Sequence, residues 1–523
     1  MLLKDQILSS RVNGILIPLA AMKTAHDWGV GDFSSLTEWI DLVSVQGTKI
    51  LQILPLQETA PGINCPYSAL TAFATDPVYA DVTAVPEVQK SREAQDYLVS
   101  LSDKISEWHG AKKAPFFPVK QAKLKTLWLG YQYFLTAEKS VHSARYQAFE
   151  AYESAQAGWL KSYKVFRALK EFYNWQSWLE WPENLRNHEP TAVHAFEVQY
   201  QEYVDFFAYV QWILDQQLRL AKAHAQEKNV WLFGDIPFAT NLDSAEVWAE
   251  RENFRLGYET GAPADQFSKG GQRWGLPAYD WEYQHTHGLD LWRRKIRRAT
   301  ELYDIFRLDH LVGFFRTYIF APQQEQGFFD VQGEENQLAR GRAFLTMVQE
   351  QAGACLAVGE DLGVIPNYVR QLLVEMRIPG YKVLRWERED NGYYREPRNY
   401  PVISLATTST HDTETLRGWW ETENRTERAH IWEMISAQKT LEGAPWCLDT
   451  QRAILKRVLD SASALTMFSW QDIIGSTDRV NTPGTVGENN WTYRSDCTPL
   501  EAVQKYADML KMYQQLLKET GRS

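Results

Sequence analysis

Ile305-Phe-Arg-Leu-Asp-His-Leu311 is a short apolar run that closes on an acid and a histidine. A β-branched and aromatic stretch of this length reads as a strand buried on both faces, and the polar residues mark where it leaves the sheet. Runs of the same kind recur at Gly14 to Leu19, Ile50 to Leu56, Val230 to Phe238, Cys355 to Leu362, Lys382 to Trp386, Val402 to Thr408 and Leu465 to Ile474. Between them lie segments with helical spacing, which is the alternation of a parallel sheet. Eight runs fit a closed (β/α)8 TIM barrel, an α/β fold. After the first run, Ser35 and Glu38 have capping-box spacing, Leu36, Trp39, Ile40 and Val43 form an apolar stripe, and Gly47 ends it.

The whole chain, 1–523, is expected to be a single catalytic barrel with insertions, since such barrels can exceed about 400 residues as one domain. The region 57–229, between the second and third runs, opens with Pro61, Gly62 and Pro66 and continues in long helical patterns, so it reads as a helical insertion subdomain. The region 240–285 carries Gly261, Pro263, Gly270, Gly271, Gly275 and Pro277 and reads as a loop insertion near the active site. One amphipathic helix from about Thr498 to Thr520 follows the last run, leaving no room for a C-terminal β-domain.

The formal charge is 55 − 66 = −11, and no long basic run offers a footprint for nucleic acid. The densest basic stretch, Arg293-Arg-Lys-Ile-Arg-Arg298, reads as a solvated helix face. The first residues lack a signal-peptide pattern, and no stretch of about 20 apolar residues occurs. A soluble, cytoplasmic protein without membrane partners is the expectation. Cys65, Cys355, Cys447 and Cys497 are too scattered for a zinc site or disulfide scaffold. The 21 Trp and 25 Tyr serve mostly in packing, although aromatic faces also suit sugar rings.

In a (β/α)8 barrel catalytic groups project from the C-terminal strand ends. Three run ends carry acids: Asp309-His310 on the fourth run, Glu360-Asp361 on the fifth and His411-Asp412 on the seventh. Carboxylates converging there suit retaining glycoside cleavage, which needs a nucleophile and a protonated acid about 5–5.5 Å apart. Arg307 and Asp309 share a strand face, so a guanidinium would keep Asp309 ionised, as a nucleophile requires. Glu360 has no evident cation in sequence, and neighbouring anions would keep it protonated, as a general acid requires. Each pair also has a structural alternative. Arg307 with Asp309 could be an internal ion pair, while Glu360-Asp361 and His411-Asp412 could cap the following helices.

The chain resembles glycoside hydrolase family 77, the 4-α-glucanotransferases, nearly end to end. The resemblance rests on Arg11-Val-Asn-Gly-Ile-Leu16, Leu51-Gln-Ile-Leu-Pro-Leu56, Pro66-Tyr-Ser68, Phe166-Arg-Ala-Leu-Lys170, Trp181-Pro-Glu-Asn-Leu-Arg186, Gly234-Asp-Ile-Pro237, Gln272-Arg-Trp-Gly275, Arg307-Leu-Asp-His310, Glu360-Asp-Leu-Gly363, Thr410-His-Asp412, Asp478-Arg-Val-Asn481 and Asn490-Trp491. It implies Asp309 as nucleophile, Glu360 as acid/base and Asp412 as transition-state stabiliser. It also implies that Tyr67, Asp235, Trp274, Arg307, His310, His411 and Asn481 line glucan subsites. Maltooligosaccharides and other 1,4-α-glucans become the expected partners, with no metal and no cofactor. The nearest rival is an α-glucan hydrolase on the same barrel, and a non-catalytic glucan-binding protein is the more distant one. Thr413 stands where the family more often has Asn, and Ala20 to Trp28 replace a Pro- and Gly-rich loop.

Overall fold

The computed structural model describes residues 2–264, 271–436, 444–485 and 487–522. Eight parallel strands close into a barrel: β1 (Val12–Leu16), β2 (Ile50–Gln52), β3 (Trp231–Ile236), β4 (Ile305–Leu308), β5 (Leu356–Gly359), β6 (Gly380–Val383), β7 (Ser404–Thr407) and β8 (Leu465–Ser469). β8 pairs with β1 to close the ring, Val12 opposite Leu465. Every strand overlaps one of the eight apolar runs, β1 and β6 starting two residues earlier, and most runs extend beyond the ends of their strands. Leu54 and Leu56 show why: they are buried after β2 has left the ladder, so burial continues where pairing has stopped. Close packing between the ring and its outer layer also fixes Gly234, where a Cβ would come within 2.4 Å of the Tyr303 ring.

The first barrel helix runs Phe33–Val45, and its N-cap is Asp32, whose side chain accepts from the Ser35 N–H. The expected Ser35–Glu38 capping box is absent because the helix begins earlier; Ser35 Oγ donates to Asp32 instead. The closing helix is likewise two helices, Pro499–Lys505 and Ala507–Thr520, with a break at Tyr506. A capping box does form there, between Thr498 and Glu501.

Between β2 and β3 lie the long helices Phe116–Phe134, Ala157–Phe172 and Gln201–Glu227. Their rings pack on one another, as Phe134 does on Tyr209 at 5.1 Å, which accounts for much of the aromatic content. Buried charges hold these helices in place, the first of the following pairs reaching the barrel and the other two lying within the 57–229 region. Lys123 meets the cap residue Asp32 at 3.1 Å, Lys120 meets Asp76 at 2.6 Å, and Arg167 meets Glu58 at 2.8 Å.

The 240–285 region, expected as a loop insertion, contains regular strands. Phe254–Ala262 and Gln272–Tyr279 are antiparallel strands of a four-stranded sheet completed by Tyr318–Phe320 and Phe328–Phe329. Gly261 and Pro277 have strand roles. Gly261 lies at a register shift where a Cβ would strike the Gln272 carbonyl, and Pro277 sits on the edge strand, where no ladder donor is lost. Gly270 lies outside the described residues. The basic run is a solvated face only in part, Arg297 being exposed. On helix Asp290–Leu302, Lys295 and Arg298 turn inward, Arg298 onto Asp215 at 2.6 Å and Lys295 onto the Pro237 carbonyl at 3.0 Å. Among the described residues no helix is long and apolar enough to cross a membrane.

Candidate active site

A cavity of about 500 Å³ opens at the C-terminal ends of the strands. Asp309, Glu360, Asp412, Tyr67, Trp274, Arg307, His310, His411 and Asn481 all line it. The first two acids are placed by the barrel ladder itself. Asp309 is the residue just past β4 and its N–H donates to Ile236 O; Glu360 is the residue just past β5 and its N–H donates to Leu308 O. Neither acid pair caps a helix, since the following helices start at Asn367 and Leu416 with Pro366 and Thr415 as N-caps.

Arg307 is the hub. Its Nη1 lies 2.8 Å from Asp309 and 2.9 Å from Asp235, and its Nη2 lies 3.8 Å from Glu360. A buried guanidinium in such company stays charged, its pKa raised well above the usual value by Asp235 and Asp309 despite desolvation. Glu360, which lacked a cation in sequence, therefore shares one across strands. Burial nevertheless pushes its pKa up to about 7; Arg307 opposes this and Asp309 adds to it. The backbone N–H groups of His310, at 2.8 Å, and Leu362, at 3.0 Å, fix the carboxyl group.

Asp235 was expected to line the subsites, but it is completely buried and absent from the cavity wall. It stands behind Arg307 and accepts the Tyr67 hydroxyl at 2.8 Å. With that proton committed, the Tyr67 oxygen accepts from His411 Nε2 at 3.1 Å. His411 also pairs with Asp412 at 3.3 Å, and Asn481 Nδ2 donates to Asp412 Oδ1 at 2.7 Å. Burial works against ionising Asp412, but His411 and Asn481 outweigh it and hold the carboxyl below its usual range. The His411 pKa rises correspondingly, burial being overcome by Asp412. His310 differs: burial pushes its pKa down to about 4, so it is neutral near pH 7. It has a left-handed φ of 44° and meets the edge of Trp274 at 4.8 Å.

Asp412 lies beyond β7 on a loop that needs its own supports. Thr408 and Ser409 hydroxyls donate to the buried Asp472, each at 2.6 Å, and Arg479 Nη2 donates to the Asp412 carbonyl at 3.2 Å. Asp472 was hidden inside the eighth apolar run, with nothing in sequence to mark it. Phe238, Trp386 and Trp491 complete the wall and were assigned no role from sequence. Trp386 ended the sixth run and Trp491 followed Asn490 in a family motif, so signals for both were present. Among the described residues no group of His, Cys, Asp or Glu is arranged to hold a metal ion. The arrangement presents Asp309 paired with an arginine, Glu360 pushed toward its neutral acid, and Asp412 held as an anion, lined by aromatic rings suited to sugars.

The family described as 4-alpha-glucanotransferase, glycoside hydrolase family 77, matches residues 17–498. The 4-alpha-glucanotransferase of Chlamydia pneumoniae is 30% identical over 501 residues, covering 93% of this chain and 91% of its own length. That of Synechocystis is 31% identical over 511 residues, covering 94% and 95%. Among solved structures, the amylomaltase from Streptococcus agalactiae in complex with acarbose has the same fold, with a TM-score of 0.84 at 23% identity over 98% of this chain and 100% of that one.

Proposed function

The chain belongs to the 4-alpha-glucanotransferases of glycoside hydrolase family 77, and from that premise we propose how its own residues carry the reaction. The enzyme transfers a 1,4-α-glucan segment from a donor maltooligosaccharide or larger glucan to the 4-hydroxyl of an acceptor. Asp309 attacks the anomeric carbon while Glu360 gives its proton to the leaving oxygen, forming a covalent glycosyl-enzyme; Glu360 then takes the acceptor's proton as the new bond forms. Asp412, anionic beside His411 and Asn481, holds sugar hydroxyls as the ring distorts. The observation that carries this reading is the single guanidinium of Arg307 shared by Asp309 and Glu360, with Glu360 pushed toward neutrality by burial.

Trp274 and Arg307 are proposed to position the glucan, with His310 and His411 as polar contacts to its hydroxyls. Asp235 and Tyr67 are proposed to act through Arg307 and His411. Transfer wins over hydrolysis when an acceptor sugar excludes water from the glycosyl-enzyme, and the strand bearing Trp274 is the proposed cover. A time course on maltotriose tests the reading. Wild type should yield glucose and a ladder of longer maltooligosaccharides, and Asp309→Asn should keep its fold and glucan binding but yield neither. Only shorter products with rising reducing ends would make the enzyme a hydrolase, and wild-type turnover by Asp309→Asn would remove that residue from its role.

A further inference from the structure

Lys295 is a lysine that the proposed reaction does not use, and its surroundings are unusual for a cation. It projects from helix Asp290–Leu302 into the barrel wall and is 3% exposed. Among the described residues it forms no ion pair. Its ammonium donates to the Pro237 carbonyl at 3.0 Å and lies 3.8 Å from the centroid of the Trp292 ring. An ammonium so placed loses its hydration for one neutral acceptor and a π face, where an apolar side chain of equal volume would fill the space at lower cost.

The Pro237 carbonyl and the Phe238 N–H belong to the same peptide unit. That N–H points the other way, at Asp309 Oδ2, 3.3 Å distant. A cation on the oxygen of a peptide draws electron density from its N–H and strengthens the bond that the N–H donates. The segment is also held on its far side: Tyr279 Oη donates to Phe238 O, in the next peptide, at 2.8 Å, and Phe238 packs edge-on to His310 at 5.3 Å. Oδ1 of Asp309 is thus ion-paired with Arg307, and Oδ2 accepts from the Phe238 N–H.

We infer that Lys295 is a positioning residue for glycosyl transfer, acting through the Pro237–Phe238 peptide to orient and stabilise the Asp309 carboxylate. The burial that lowers the Lys295 pKa to about 7 is offset in part by Glu246 and Asp309, so the nucleophile and the lysine favour each other's charge. As the inference rests on Asp309 being the nucleophile, Asp309→Asn is assayed alongside.

The test is Lys295→Met, which keeps volume and removes charge, with Lys295→Gln as the neutral alternative should the first not fold, and Lys295→Arg to restore a cation. Folding is followed by thermal melting and turnover on maltotriose by steady-state kinetics. The folded neutral variant should show kcat about tenfold lower with KM within about twofold, the split expected of an interaction that serves the transition state. The arginine variant should recover kcat to within about threefold of wild type. Wild-type kcat in a folded neutral variant overturns the inference while leaving the nucleophile assignment intact. So does failure of both neutral variants to fold, which would make the lysine structural. An active Asp309→Asn enzyme instead defeats the nucleophile reading beneath it.

Discussion

Glu360 sits between opposing influences, and which of them wins sets the pH behaviour. Arg307 and two backbone N–H groups favour its anion; burial and Asp309 favour the neutral acid, and they prevail. A general acid must be protonated before it can act, and the protonated fraction falls as pH rises through the raised pKa. The kcat/KM profile for maltotriose should therefore descend on its basic side near pH 7. A profile flat from about pH 6 to 8.5 would contradict the assignment. The three acids themselves were legible in sequence, because each closes an apolar run at the barrel rim. Their environments were not. Arg307 could be paired with Asp309 by strand alternation, but its reach to Glu360 and Asp235 crosses to neighbouring strands, and only the register of the closed barrel reveals that.

At the scale of elements, apolar runs located all eight strands because parallel strands are buried on both faces. They overran the strand ends because the rim loops are buried as well. The strands within the 240–285 region left a weaker trace: Gly261 marks a register shift and Pro277 an edge strand, features that in sequence look like loop. The edge strand carries Trp274 to the cavity, and its ring stands against His310. Trp274→Ala should open the site to water and shift product partition, raising reducing-end release relative to ladder formation by about fivefold or more if exclusion of water is its task. An unchanged ratio measured on maltotriose would assign the exclusion to other walls.

Across the whole molecule, charges buried between distant segments hold the barrel and its insertion as one body. Asp27 receives Arg494 at 2.5 Å, joining the first loop to the segment after β8, and Arg494 also donates to the Ala111 carbonyl at 2.9 Å in the 57–229 region. At the opposite end of the barrel Arg522, 1% exposed, donates to the carbonyls of Val12, Leu459, Ser461, Ser463 and Ala464. Removing the guanidinium strands several buried acceptors, so Arg522→Ala should cost on the order of 3 kcal/mol and lower Tm while leaving kcat of the folded enzyme unchanged. An unaltered melting curve would show that the clasp carries no stability. Contacts of this kind, linking residues hundreds of positions apart, leave no periodic trace in sequence. All of this architecture serves to bring Asp309 and Glu360 to one guanidinium, and the most direct test is to trap the covalent glycosyl-enzyme. Glu360→Gln incubated with α-maltotriosyl fluoride, whose leaving group needs no acid, should accumulate that intermediate. Mass spectrometry of its peptides should place one maltotriosyl group on Asp309; an adduct on another residue, or rapid turnover with none, would contradict the account.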